Sequence, residues 1–167
     1  MSGLLGRVVL LGYRVGVGAI ALYAIIQALE KAYGRKLTFK EEAWFFRHPN
    51  RALAVKNTAI AAYAMTAKIF NENGDDNESD AFRHCFWSAT LARDIGVSEA
   101  REFTSLHEDS PTNPAARKLM DLTNNAKGLT TKFVASDDNS IAIGVLKMLR
   151  DGELMVIKPN GNKGKAP

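Results

Sequence analysis

The sequence predicts an all-α protein, a compact bundle of five or six helices preceded by a long apolar N-terminal helix. Three observations carry that expectation. Apolar residues recur at intervals of three and four along most of the 167 residues. Capping residues, glycines and prolines cut the pattern into helix-length pieces. Only "ELMVIKP", near the end, has strand character. The length suits one domain with a core of its own, divided into an N-terminal helix over 1–36, a helical domain over 37–157 and a flexible basic tail over 158–167.

The first element is the apolar run within "GRVVLLGYRVGVGAIALYAIIQALEKAYG". Residues 8–29 approach the ~20 residues that a membrane-spanning helix needs, although Arg14 falls inside them. A membrane anchor is expected there, with a long buried hydrophobic helix as the alternative. If it spans, Lys31, Arg35, Lys36 and Lys40 outnumber Arg7 and leave the main domain on the cytoplasmic side. If it does not, the protein is expected to be cytoplasmic or delivered by secretion.

The remaining helices follow from local signals. Thr38 and Glu41 stand at capping-box spacing in "LTFKEEAWFFRHP", and Pro49 closes that short helix, so that His48 reads as a packing or capping residue. The alanine-rich "RALAVKNTAIAAYAMTAKIF" is a close-packed helix, ended by the glycine and acids of "NENGDDNE". Ser79 to Ile95 is helical, Gly96 fits a C′ position, and Ser98 caps the next helix, which runs to about His107. Asn113 as N-cap and Pro114 at the first helical position open "AARKLMDLTNNAKG", which Gly128 ends. "NSIAIGVLKMLRDG" is the last helix.

The formal charge of +4 divides unevenly. Residues 1–40 carry six Lys/Arg against one Glu, and the tail adds Lys158, Lys163 and Lys165. Residues 70–111 carry ten carboxylates against three arginines, the opposite of the clustered cations that a nucleic-acid groove requires. Nucleic acid is therefore disfavoured as a partner, whereas the basic ends suit an acidic membrane surface. One cysteine, Cys85, excludes an intramolecular disulfide and a zinc site built from several thiolates.

The polar residues gather in "SDAFRHCFWSATLARDIG". Helical spacing sets Asp80 and His84 one turn apart, with Trp87 next on that face, while Ala81, Cys85, Ser88 and Ala92 form a face of small residues suited to tight packing. His107 lies as far after the turn at Ile95 and Gly96 as His84 lies before it, so the two imidazoles are expected at one level, with Asp80 and Glu108 beside them. Asp121, Asn124 and Asn125 of "MDLTNN" would complete a three-helix pocket. Two imidazoles with carboxylates and carboxamides suit acid/base hydrolysis or a divalent metal such as zinc, with His84, His107 and Glu108 as candidate ligands. His84 is then the general base or a ligand oriented by Asp80, His107 and Glu108 complete the site, and Asp121 and Asn125 position water or substrate. Arg83, Trp87, Asn124 and Asn125 are candidate substrate contacts. Structural readings stand beside these: Arg83 as a salt-bridge partner of Asp80 or Glu108, Trp87 as core, Cys85 as a buried inert thiol, and the asparagines as C-caps.

"SDAFRHCFWSATLARDIG", "FTSLHE" and "MDLTNNAKG", in this order and preceded by "EEAWFFRHPNRALAV", resemble a bacterial domain family of unresolved function. That family occurs at the C-terminal ends of wall-associated, Rhs-type and YD-repeat polymorphic toxins and in small stand-alone proteins. The resemblance covers roughly residues 41–128 and implies signature positions at Asp80, Arg83, His84, Trp87, His107, Glu108, Asp121, Asn124 and Asn125. Thr123 stands where a third histidine would be expected, which argues against a three-histidine metal site. The function expected is a hydrolase-like effector or toxin-type domain, associated with a membrane through residues 8–29, with an immunity or assembly protein as partner. The alternative is a non-catalytic component of a secretion system, phage particle or membrane complex, in which the same residues form a buried network.

Overall fold

The computed structural model describes residues 17–133 and 135–167. Among them the protein is all-helical, without a strand: α1 Val17–Tyr33, α2 Phe39–Arg47, α3 Ala52–Phe70, α4 Glu78–Ile95, α5 Val97–His107, α6 Ala115–Gly128 and α7 Asp138–Arg150, with 3₁₀ turns at Pro49–Arg51 and Thr131–Phe133. The chain separates into two compact units, Met1–Lys56 and Asn57–Pro167.

Among the described residues of the first unit, α1 is the described part of the expected apolar helix. No helix among the described residues is long and apolar enough to cross a membrane. Residues 8–16 of the expected span, with Arg7, Arg14, Gly12 and Gly16, lie outside the described residues. In α1 Ile26 and Leu29 are buried, while Ile20 and Tyr23 are exposed. The capping box of α2 forms as its spacing predicts: Thr38 Oγ1 accepts from the Glu41 N–H, and the Glu41 carboxylate accepts from the Thr38 N–H. Arg35 grips both oxygens of that buried carboxylate at 2.9 Å. His48 caps α2 and stacks on Trp44, ring centroids 4.5 Å apart.

The second unit is organised around α4, on which α5, α6 and α7 all pack. The sequence predicts a polar face and a small face for this helix, and both are covered: within α4 every residue is buried except His84, Arg93 and Asp94. Asn77 starts it, accepting from the N–H groups of Ser79 and Asp80. Gly96, at φ +91°, ends it and also begins α5, giving its N–H to Ala92 and taking that of Ala100. That conformation favours glycine, and it displaces Ser98 from the cap position that the sequence suggests. Pro114 (ψ 141°) is the cap of α6 rather than its first helical residue, because its ψ is extended. Gly128 is the last residue of α6 and serves close packing rather than capping: a Cβ there would meet the Cys85 carbonyl oxygen at 2.2 Å and the Ala89 nitrogen at 2.9 Å. The small face of α4 is what lets the two helices approach so closely.

Two expectations for the C-terminal end are corrected. "ELMVIKP" makes no strand, since the Asn124 side chain takes both the N–H and the carbonyl of Met155, each at 2.9 Å, in place of a partner strand. The tail is not a free basic segment. The N–H groups of Asn160 and Gly161 donate to Glu78, the N–H of Lys165 donates to the Ile69 carbonyl, and Lys158 pairs with Asp76 at 2.8 Å. Helix ends and loop carboxylates left without local partners capture the tail's donors.

Candidate functional site

His84 is the centre of a buried polar cluster inside the second unit. Its ring is held by α4, the C-terminal end of α5 and the middle of α6. Nε2 lies 3.4 Å from Asp80 Oδ1 and 3.5 Å from Asp121 Oδ1, and Nδ1 lies 3.3 Å from Glu108 Oε1. The side chains are 11% exposed for His84 and 3–4% for the three carboxylates. Neither His84 Nδ1 nor Asp121 Oδ1 makes a hydrogen bond.

A relay of side chains fixes Glu108. Ser88 donates to Asn125 Oδ1 at 2.7 Å, and the Asn125 amide donates to Glu108 Oε1 at 3.0 Å. Asp80 is held from the other side. Its Oδ2 accepts the Asp76 N–H at 2.6 Å, and Arg83 binds its Oδ1 in a short charged hydrogen bond while donating to the Gly74 carbonyl and lying over the Tyr63 ring. Asp76, at φ +65°, is itself clamped by both nitrogens of the Arg117 fork. That fork, with Lys158, holds the Asp76 carboxyl far below the usual range.

The electrostatics follow from three carboxylates facing one ring. Burial opposes the charged imidazole, but Glu108, Asp80 and Asp121 outweigh it and raise the His84 pKa well above its ordinary value. Burial would likewise raise Glu108 and Asp80, yet the imidazole beside each brings both below their normal range. Asp121 goes the other way. Burial and the charges of Glu108 and Asp80 raise it to about 7, against the opposing pull of His84.

A family model described as "Domain of unknown function (DUF6973)" matches residues 42–153. The chain belongs to the DUF6973 family. No curated protein and no solved structure matches it. The DUF6973 region contains every residue of the cluster, from Asp76 to Asn125.

Of the residues picked out in this DUF6973 sequence, Asp80, His84, Glu108, Asp121 and Asn125 come together, with Arg83 on Asp80. His107 is placed differently from expectation: its ring packs edge-on to Trp87, centroids 5.0 Å apart, and Trp87 packs on Phe103. Asn124 serves the Met155 backbone. Thr123 donates to the Leu119 carbonyl within its own helix. Among the described residues, the group with one atom each inside 4.8 Å of the others is Asp80, His84 and Asp121, whereas the sequence suggested His84, His107 and Glu108 as metal ligands. Sequence reasoning placed Ser88 on the packing face but missed its part in the relay. Its position one turn after His84 was the available signal. Asp76 and Tyr63 carried none, since their contacts exist only in three dimensions.

Proposed function

We propose that this DUF6973 domain is a small hydrolase-like effector domain that works at the His84 cluster, as its likeness to the C-terminal domains of polymorphic toxins suggests. One observation supports the reading most: a single imidazole has carboxylates facing both of its nitrogens, Asp80 and Asp121 carried on packed helices and Glu108 on the residue that caps α5. A carboxylate at one ring nitrogen fixes the tautomer and increases basicity at the other, which is what activation of a water molecule asks of a histidine. Asp80 and Asp121 stand where they would hold that water or the group it attacks. Arg83 adds a cation beside Asp80 for a substrate anion. In this reading an immunity protein is the expected partner, and residues 8–29 the expected membrane tether.

Inducible expression of the full chain in bacterial cytoplasm, and separately in periplasm, tests it. Growth should stop in one compartment, and His84→Ala should restore growth while circular dichroism stays helical. Equal toxicity of His84→Ala would overturn the proposal. The burial of the cluster favours a second reading, a non-catalytic assembly component whose helices the network locks. That reading expects His84→Ala to lose about 3–5 kcal/mol of stability, because carboxylates buried around the ring lose their partner.

A further inference from the structure

We infer that Asp80, His84 and Asp121 are the protein ligands of a single divalent first-row cation, with Glu108 orienting the His84 ring from its far nitrogen. The inference rests on the cluster being a functional centre and names what it binds.

Distance is the first argument. The gaps of 3.4 and 3.5 Å from Nε2 to the two aspartate oxygens exceed a normal N–H···O bond, which spans roughly 2.7–3.2 Å. They match the ~3.3–3.4 Å edge of a tetrahedron whose metal bonds are ~2.0–2.1 Å long. The second argument is Asp121 Oδ1, which is buried without a hydrogen bond on a side chain only 4% exposed and lies 3.5 Å from Nε2, in a group with Asp80 whose ligand atoms all fall within 4.8 Å of one another. Such a buried acceptor is destabilising when nothing satisfies it, and a cation would satisfy it.

The surroundings of the ring agree. Metal-bound histidines turn their other ring nitrogen toward a carboxylate that is itself held by further hydrogen bonds, and Glu108, 3.3 Å from Nδ1 and held by Asn125 and Ser88, stands on that side of the ring. With a neutral imidazole, three carboxylates and Arg83 leave two negative charges, the charge of one dication. One imidazole with two carboxylates suits zinc or a neighbouring first-row ion better than calcium or magnesium, which favour oxygen alone. Three protein ligands leave a fourth position for water, as in catalytic rather than structural sites.

Zinc titration of the chelator-stripped full chain, by calorimetry and by metal content after dialysis, tests this. Saturable binding of a single zinc per chain is expected. Asp121→Asn should weaken it at least a hundredfold while melting no lower than wild type, since the substitution also relieves a buried charge. Glu108→Gln should weaken it about tenfold to a hundredfold. His48→Gln, outside the cluster, should leave it unchanged. Absence of saturable zinc binding by the wild-type chain, or equal affinity in Asp121→Asn, overturns the inference. The two proposals fail separately: zinc binding without toxicity removes the effector reading alone, and His84-dependent toxicity without zinc binding removes the metal alone.

Discussion

Gly128→Ala is the sharpest test of how α4 and α6 come together. The added Cβ would lie 2.2 Å from the Cys85 carbonyl oxygen, 2.9 Å from the Ala89 nitrogen and 3.0 Å from Ser88 Cβ, where ordinary contact begins near 3.4 Å. Two of these atoms are backbone and cannot rotate aside, so relief requires the helices to part by about 1 Å in a packed interior. Overpacking of this kind costs about 1–3 kcal/mol, and the rigidity of the obstacle puts this case at or beyond the top of that range. The alanine regains about 1 kcal/mol of helix propensity. The net loss is about 2 kcal/mol, which lowers Tm by roughly 4–8 °C in a protein of this size. Ser88 and Asn125 bond across the same contact, so the relay to Glu108 is strained as well. Thermal and urea unfolding of the variant measure the loss. A Tm equal to or above that of wild type would refute the reasoning, because propensity alone then governs and the helices are not in contact at this residue.

Removal of residues 158–167 takes the Lys158 ammonium from Asp76 and two backbone donors from Glu78, a carboxylate only 2% exposed as a residue. A loss of about 1–3 kcal/mol is expected in urea unfolding, where a free tail would give none. Cys85 is buried with its thiol pushed up to about 12 by burial, so the native protein should resist a thiol reagent that labels it fully after unfolding. Rapid labelling in the native state would place that face of α4 in solvent.

Much of the candidate site was legible because an α-helix has a fixed period. Asp80 and His84 share a face by their spacing of four, and the small residues opposite them predict a close neighbour, which proved to be Gly128. The placement of His107 was not legible. Counting equally from the turn at Gly96 sets the level of a residue along α5 but not the direction in which it points, and each step of one residue turns the helix by about 100°. The neighbouring position, Glu108, therefore reaches His84, while His107 reaches Trp87.

What the sequence determined by itself is local: the helical class, the capping box at Thr38 and Glu41, the helical segment ending at Gly96 and the polar stripe of α4. These depend on backbone geometry within a turn or two, and the chain carries that information wherever it folds. Tertiary structure decided the rest. It turned an amphipathic-looking helix into a buried one, assigned Asp121 rather than His107 to the Nε2 side of His84, gave Asn124 to the Met155 backbone and tied the basic tail to Asp76 and Glu78. Each of these depends on which donors and charges meet after distant segments pack, where an unpaired polar group costs as much as a helix cap provides and finds its partner across the fold.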